Sequence, residues 1–220
     1  MQHYNTFVTG FSKKYYDAIG IHTLKTWKLL EGNKLWIVDN FPNFSTSQSV
    51  KIVEGDTFYP KDKYYLSNDG KVKKFWKKGR SFLYALKNCN TKYVTWIDSD
   101  VQIKKKFNLE DFVPDNEQIA SVLINEKEFQ IESGFVVVNT EHKDFDKFCS
   151  LYESAWYDGT LQKLYRPWDG DVLMYVLKQI PYRDLRNNSV KKPQGFDHSL
   201  LEDYMHHYSG KRQKKLVGSK

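Results

Sequence analysis

Four apolar residues in a row, Leu35-Trp36-Ile37-Val38, closed off by Asp39, constrain the fold of this chain more than any other feature. Such a run reads as a strand buried on both faces, and a strand of that kind needs cover on each side. The sequence supplies it. Upstream, Tyr16, Ile19, Thr23, Trp27 and Leu30 recur at steps of three and four and predict a helix that stops at Gly32-Asn33, preceded by a short strand at Phe7-Val8-Thr9. Downstream, Phe75, Phe82 and Leu86 share one helical stripe, which leads through Asn88-Cys89-Asn90 into a second apolar run, Tyr93-Val94-Thr95-Trp96-Ile97. Further strands are predicted at Ile119 to Ile124 and Phe135 to Val138. Helices are predicted over Phe145, Phe148, Tyr152 and Trp156 and over Val172 to Leu177, while residues 100–118 carry no decisive pattern. Strands alternating with helices imply an α/β class with a mostly parallel central sheet flanked by helices, and no repeat or long linker divides residues 1–220 into more than one domain.

The composition, 40% hydrophobic and 16% aromatic, is too rich in core formers for a disordered chain. No stretch reaches the roughly 18 consecutive apolar residues of a membrane span. The first residues, Met1-Gln2-His3-Tyr4-Asn5, lack the features of a secretory signal, so a cytoplasmic protein is expected. Cys89 and Cys149 stand far apart in no CxxC pattern, which indicates two inert thiols and neither a disulfide framework nor a zinc site. The net charge is +7, and the cations are bunched in residues 71–80 and 211–215, which suits a polyanionic ligand.

The chemistry concentrates at Trp96-Ile97-Asp98-Ser99-Asp100, two carboxylates one residue apart at the C-terminal edge of an apolar strand. That edge is where α/β sheets bind ligands. Two carboxylates leaning the same way offer hard oxygen ligands to Mg²⁺ or Mn²⁺, and a cation there can neutralise the charge that grows on a departing diphosphate. A strand ending in Asp-x-Asp can also be no more than a turn or a cap. The aspartates of Trp168-Asp169-Gly170-Asp171, at the start of a predicted helix, have the same two readings: first-turn charge, or a group that binds or deprotonates an acceptor hydroxyl. Glu132, just before Ser133-Gly134, is a further candidate for that role. Thr9, Tyr15, Tyr16 and Asp39 lie at strand ends or in the loop that follows, where a base and ribose can be held.

Asp98-Ser99-Asp100 after its strand resembles the DxD motif of GT-A glycosyltransferases, including the glycogenin-like group. Three more elements are similar and follow in the same order. Arg80 sits where a basic residue of these enzymes reaches the donor, Ser133 to Asn139 resembles their SG-plus-strand segment, and His207-Tyr208-Ser209-Gly210 resembles their HxxG element. The chain also looks like a group of short phage and bacterial GT-A-like proteins, through Phe7-Val8-Thr9, Phe11-Ser12, Tyr16, Gly20, Tyr204-Met205, His207, Gly210 and Arg212. The resemblance implies a Rossmann-like GT-A domain, a UDP-sugar donor, and Mn²⁺ or Mg²⁺ on Asp98, Asp100 and His207. It further implies a basic segment, 205–220, that completes the donor site, with Thr9, Tyr16, Asp39, Arg80, Asp98, Gly210, Lys211, Arg212 and Lys214 around the nucleotide sugar, and Asp169, Asp171 and Glu132 on the acceptor side. A lysine follows the HxxG glycine by three positions in the family, whereas Gln213 occupies that place here, so the diphosphate cation is open among Lys211, Arg212 and Lys214.

The surplus of positive charge, with the phage-like outline, points to DNA carrying a hydroxymethylated pyrimidine as the acceptor. A surface saccharide and a protein side chain are the competing acceptors. A non-catalytic nucleic-acid-binding protein is the alternative of another class, although no helix-turn-helix, zinc finger or RNA-binding signature is present. A nucleotidyltransferase fits less well, because Thr9-Gly10-Phe11-Ser12-Lys13 contains a single glycine.

Overall fold

The structure is a computed structural model that describes residues 4–57, 70–125, 130–158, 160–164, 166, 168–186 and 195–208. Its elements in chain order are β1 (Asn5–Ser12), α1 (Lys13–Tyr15), a π-helical turn (Tyr16–Gly20), α2 (Ile21–Thr23), a 3-10 stretch (Leu24–Leu29), β2 (Asn33–Asp39) and β3 (Lys51–Glu54). The long helix α3 (Gly70–Asn88) leads to β4 (Tyr93–Ile97), β5 (Val101–Ile103), β6 (Ala120–Asn125) and β7 (Gln130–Asn139). Then come α4 (Phe145–Ser154), α5 (Thr160–Lys163), α6 (Asp169–Leu177), β8 (Tyr182–Asp184) and β9 (Met205–His207). Among the described residues, no helix is long and apolar enough to cross a membrane.

Seven strands form one sheet in the order β3-β2-β1-β4-β7-β6-β8, while β5 and β9 form a separate two-stranded ribbon. The pairings of β1 with β2 and β4, of β2 with β3 and of β6 with β8 are parallel; β7 runs antiparallel to both of its neighbours. This is the mostly parallel α/β sheet that the alternation predicts. Leu35 to Val38 are all buried, as a strand covered on both faces must be, and two apolar layers provide the cover. One layer packs α3, α4 and α6 onto Val8, Val94, Trp96 and Val136; the other packs Trp27, Phe112, Phe196 and Met205 onto Phe7, Trp36, Ile97 and Phe135. Complete burial of aliphatic and aromatic side chains at this density is the main source of stability, at about 1.5–3 kcal/mol per large side chain.

The expected helix over residues 16–30 departs most from prediction. Its apolar face is present, with Ile19, Thr23, Trp27 and Leu30 buried, but the backbone passes through three short helical pieces of different pitch. Thr23 accounts for part of this. Its hydroxyl donates to the Ile19 and Gly20 carbonyls and, at 2.5 Å, to the carbonyl of Ser99, so the segment is tied to the Asp-x-Asp turn rather than only to itself. Residues 100–118 contain β5 and a 3-10 turn at Leu109–Asp111, and β3, β8 and β9 are strands too short for period to reveal. Cys149 is buried, and burial pushes its thiol up to about 12; Cys89 is half-buried and also raised by burial.

Gly79 lies inside α3, where a glycine costs about 1 kcal/mol against alanine. The reason is space. A Cβ there would stand 2.5 Å from Cζ2 of Trp156, which is fully buried beneath the helix. Gly79→Ala is therefore expected to lower stability by about 1–3 kcal/mol through overpacking, despite the better helix propensity of alanine. Urea unfolding of the two proteins checks it, and an unchanged or higher midpoint would show that Trp156 has room to move.

Candidate functional site

β1 has β2 on one side and β4 on the other, so the sheet order reverses there and a crevice opens beyond the C-terminal ends of these strands. A cavity of about 850 Å³ fills it, lined by the segment after β1, by Asp39 at the end of β2, by one face of α3, and by Asp98, Ser99 and Asp100 after β4.

The turn after β4 is held by backbone bonds: the Asp98 amide donates to the Gly134 carbonyl at 2.9 Å, and the Val101 amide to the Asp98 carbonyl at 2.9 Å. β5 then pairs antiparallel with β9, which places Val101 opposite His207, while the Tyr208 amide donates to the Asp100 carbonyl at 3.1 Å. That ribbon carries His207 to the aspartates. Its Nε2 lies 3.2 Å from Asp100 Oδ1 and 3.9 Å from Asp98 Oδ2. One donor atom from each of Asp98, Asp100 and His207 falls within 4.8 Å of the others. Both nitrogen-to-oxygen separations are shorter than twice a bond of about 2.1 Å, so one divalent cation can span them. Two carboxylates and an imidazole suit Mn²⁺ or Mg²⁺, with the nitrogen donor favouring the former.

Each ligand is oriented by neighbours. Asp98 Oδ1 accepts from Trp96 Nε1 at 2.7 Å and pairs with Lys78 Nζ at 2.7 Å, which leaves Oδ2 as the oxygen that faces His207. The Tyr15 hydroxyl donates to Asp100 Oδ2 at 2.6 Å. Glu132 Oε1 lies 3.4 Å from His207 Nδ1 and accepts from the Gly134 amide at 3.3 Å. Lys78 also reaches Asp169 Oδ2 at 2.5 Å and donates to the Ser133 hydroxyl and carbonyl oxygens at 3.0 and 3.1 Å, so one ammonium joins the end of β4, β7 and the start of α6. Ser133 closes the set by donating to Asp169 Oδ2 at 2.5 Å.

The charges are interdependent. Burial alone would lower the pKa of Lys78, but the carboxylates of Asp169 and Asp98 outweigh it and hold the ammonium charged. His207 behaves alike: burial opposes its cation, and Asp100 and Glu132 raise it well above the ordinary histidine range. Asp98 is raised, by burial first and by the like charge of Asp100, against the pull of Lys78. Glu132 is lowered, because His207, Lys78 and the Gly134 amide together overcome its burial.

The other sequence candidates are distributed as follows. Asp39 lines the cavity with both oxygens 2.5 Å from Lys77 Nζ. Thr9 is fully buried inside the sheet and Tyr16 packs among Phe11, Phe41 and Phe44, so neither lines the cavity, whereas Tyr15 does. Arg80 points away from it, donating to Glu153 at 2.9 Å with its guanidinium over the Tyr157 ring. Lys78 is the cation of this helix that reaches the aspartates, since it shares the stripe of Phe75 and Phe82, which Arg80 does not. A lysine on an apolar stripe is a legible signal, and it marks Lys78 in the sequence. Asp171 lies 3.6 Å from Arg166 and outside the Lys78 cluster. Gly210, Lys211, Arg212 and Lys214 lie outside the described residues.

No sequence-family profile matches this chain, and no curated protein matches it in sequence. Solved structures do match in fold. A glycosyltransferase involved in glycosylation of the major capsid of PBCV-1 superposes with a TM-score of 0.57 at 16% identity, covering 96% of this chain and 98% of that one. The galactosyltransferase LgtC, in complex with donor and acceptor sugar analogs, gives 0.54 at 13% identity over 97% and 95% of the chains. Mouse xyloside xylosyltransferase 1 gives 0.52 at 12% identity over 83% and 85%. At these identities the likeness is one of fold, and the fold is that of the GT-A glycosyltransferases.

Gly134 tests the constellation. A Cβ at this position would stand 2.8 Å from Cε1 and 3.0 Å from Nδ1 of His207. Gly134→Ala is expected to displace the imidazole and weaken Mn²⁺ binding at least tenfold, the scale of a misplaced metal ligand. Calorimetric titration of Mn²⁺ measures it, and unchanged affinity would remove His207 from the ligand set.

Proposed function

We propose that this chain is a metal-dependent glycosyltransferase that moves a sugar from a nucleotide diphosphate sugar, with UDP as the nucleotide, onto an acceptor hydroxyl. One observation carries the reading: the donor atoms of Asp98, Asp100 and His207 converge at the rim of a cavity whose walls present Lys13, Lys14, Lys73, Lys74 and Lys77. Mn²⁺ or Mg²⁺ bound there would act as a Lewis acid toward the departing diphosphate. Asp98 and Asp100 orient toward that position because Trp96, Lys78 and Tyr15 occupy their other oxygens. The lysines of the cavity wall suit the phosphates through charge-assisted hydrogen bonds. Asp39 at the end of β2 and Tyr15 after β1 border the same cavity, which suits them to the ribose and the base.

On the acceptor side, Asp169 is buried and shared between Lys78 and Ser133, which suits it to fixing the site, whereas Asp171 and Glu132 keep less enclosed carboxylates for an acceptor hydroxyl. For the acceptor itself we favour a hydroxymethylated pyrimidine in phage DNA. The lysines that border the cavity, Lys13, Lys14, Lys73, Lys74 and Lys77, suit the phosphate backbone of such an acceptor as well as the donor diphosphate. Affinity for duplex DNA that falls steeply with salt supports this acceptor; salt-independent or absent binding rejects it in favour of a saccharide or protein hydroxyl.

The donor site is tested by titrating UDP and other nucleoside diphosphates calorimetrically, with and without Mn²⁺, into the wild type and Asp100→Asn. Binding that requires Mn²⁺ and weakens at least tenfold in the variant is the expected result. Absence of binding to every nucleotide would overturn the glycosyltransferase reading and leave a nucleic-acid-binding protein as the better account.

A further inference from the structure

A second cavity, of about 900 Å³, opens at the opposite pole of the sheet, where β1 and β4 begin. It shares no lining residue with the first. Tyr93 opens β4 and Asp98 follows its last residue, so at about 3.3 Å per residue the two sites are roughly 16 Å apart along that strand. We propose that this second cavity is a binding site for a neutral saccharide, separate from the metal site.

Its floor is aromatic and aliphatic. Phe7, Tyr93 and Phe107 meet there with Leu109 and Val113; Phe7 and Phe107 pack edge to face at 6.2 Å, while Tyr93 and Phe107 are only partly covered by the core. Tyr4, the most exposed large aromatic of the described residues at 76%, stands at the edge. Half-covered aromatic rings beside polar groups suit a ligand with one apolar face and a hydroxylated edge, as a pyranose ring has.

The rim supplies the polar groups. Glu31 and Lys106 pair at 2.8 Å with both side chains mostly in solvent; Lys92, Asn108 and Glu110 complete it. Two acids balance two lysines, so this rim lacks the positive field of the first cavity and does not select an anion. Carboxylates, an amide and ammonium groups together offer both acceptors and donors, which is what a polyhydroxylated ligand needs.

A further observation points to a ligand. Asn5, on the same sheet face as Phe7, is only 5% exposed and lines this cavity; its Oδ1 accepts from the Thr95 hydroxyl at 2.8 Å, but its Nδ2 has no hydrogen-bond partner among the described residues. A buried amide donor needs an acceptor; this one is closed to water in the structure as it stands, so a ligand hydroxyl meets it with a small shift of the cavity floor.

The test is a ¹H–¹⁵N NMR titration of the full chain with neutral probes: methyl glucoside, methyl galactoside, and tri- and tetrasaccharides of each sugar. Saturable shifts at Tyr93 and residues 106–110, with none at Asp98 or His207, are expected for at least one probe. The affinity should fall at least fivefold in Tyr4→Ala and in Glu31→Ala/Lys106→Ala, all exposed positions whose replacement leaves the core intact. No saturable shift with any probe, shifts confined to the metal site, or affinities unchanged in both variants would overturn the proposal. Asp100→Asn separates this site from the first, since it is expected to weaken nucleotide binding at least tenfold and leave the saccharide shifts as they are.

Discussion

Four carboxylates, Asp98, Asp100, Glu132 and Asp169, converge at one end of the sheet, and the organisation of the molecule follows from the need to hold them there. Like charges brought together out of water repel strongly unless cations and hydrogen-bond donors are interleaved with them. Lys78 and His207 are interleaved in this way. Lys78 lies between Asp98 and Asp169, and His207, whose proton a bound divalent cation would displace and whose charge it would replace, lies among Asp100, Asp98 and Glu132. The two cations come from α3 and from the last described strand, so the cluster cannot assemble until segments more than a hundred residues apart are in place.

The supporting frame can be traced outward from that cluster. The Asp-x-Asp turn is pinned by Gly134 from β7, by Tyr208 beyond β9 and by Thr23 from the helical segment after β1. Thr26 adds a bond from the amide of Ile103 to its hydroxyl, fixing β5 to the same segment. The broken helical course of residues 13–29 is thus explained by what it touches: regular α-helix would place its own hydrogen bonds above these contacts with the turn, and the tertiary contacts prevail. Two glycines serve the same frame by admitting a large neighbour, Gly79 above Trp156 and Gly134 beside His207.

The two cavities divide the molecule by charge. At the pole where parallel strands end, lysines of α3 and of the segment after β1 surround the aspartates, which suits a phosphate-bearing donor. At the pole where the strands begin, opposite charges balance above aromatic rings. The two ends of one sheet thus offer a positively charged surface and a charge-balanced aromatic one, suited to ligands of different chemistry.

The α/β class and the positions of β2, β4, β6, α3, α4 and α6 are legible in the chain, because long apolar runs and stripes at helical spacing each have one economical burial. Asp98 and Asp100 stand out in the sequence as paired carboxylates at a strand end, His207 only through its resemblance to an HxxG element, and a lysine on the Phe75 and Phe82 stripe is there to be read. Strands of three or four residues such as β3, β5, β8 and β9 leave no period to detect. Folding in three dimensions was needed to bring His207 to Asp100, through a ribbon pairing residues more than a hundred positions apart, and to give Lys78 its particular partners, Asp98, Asp169 and Ser133, on three different elements. Such long-range pairings are chosen by the packing of the whole sheet, which no local stretch of sequence encodes.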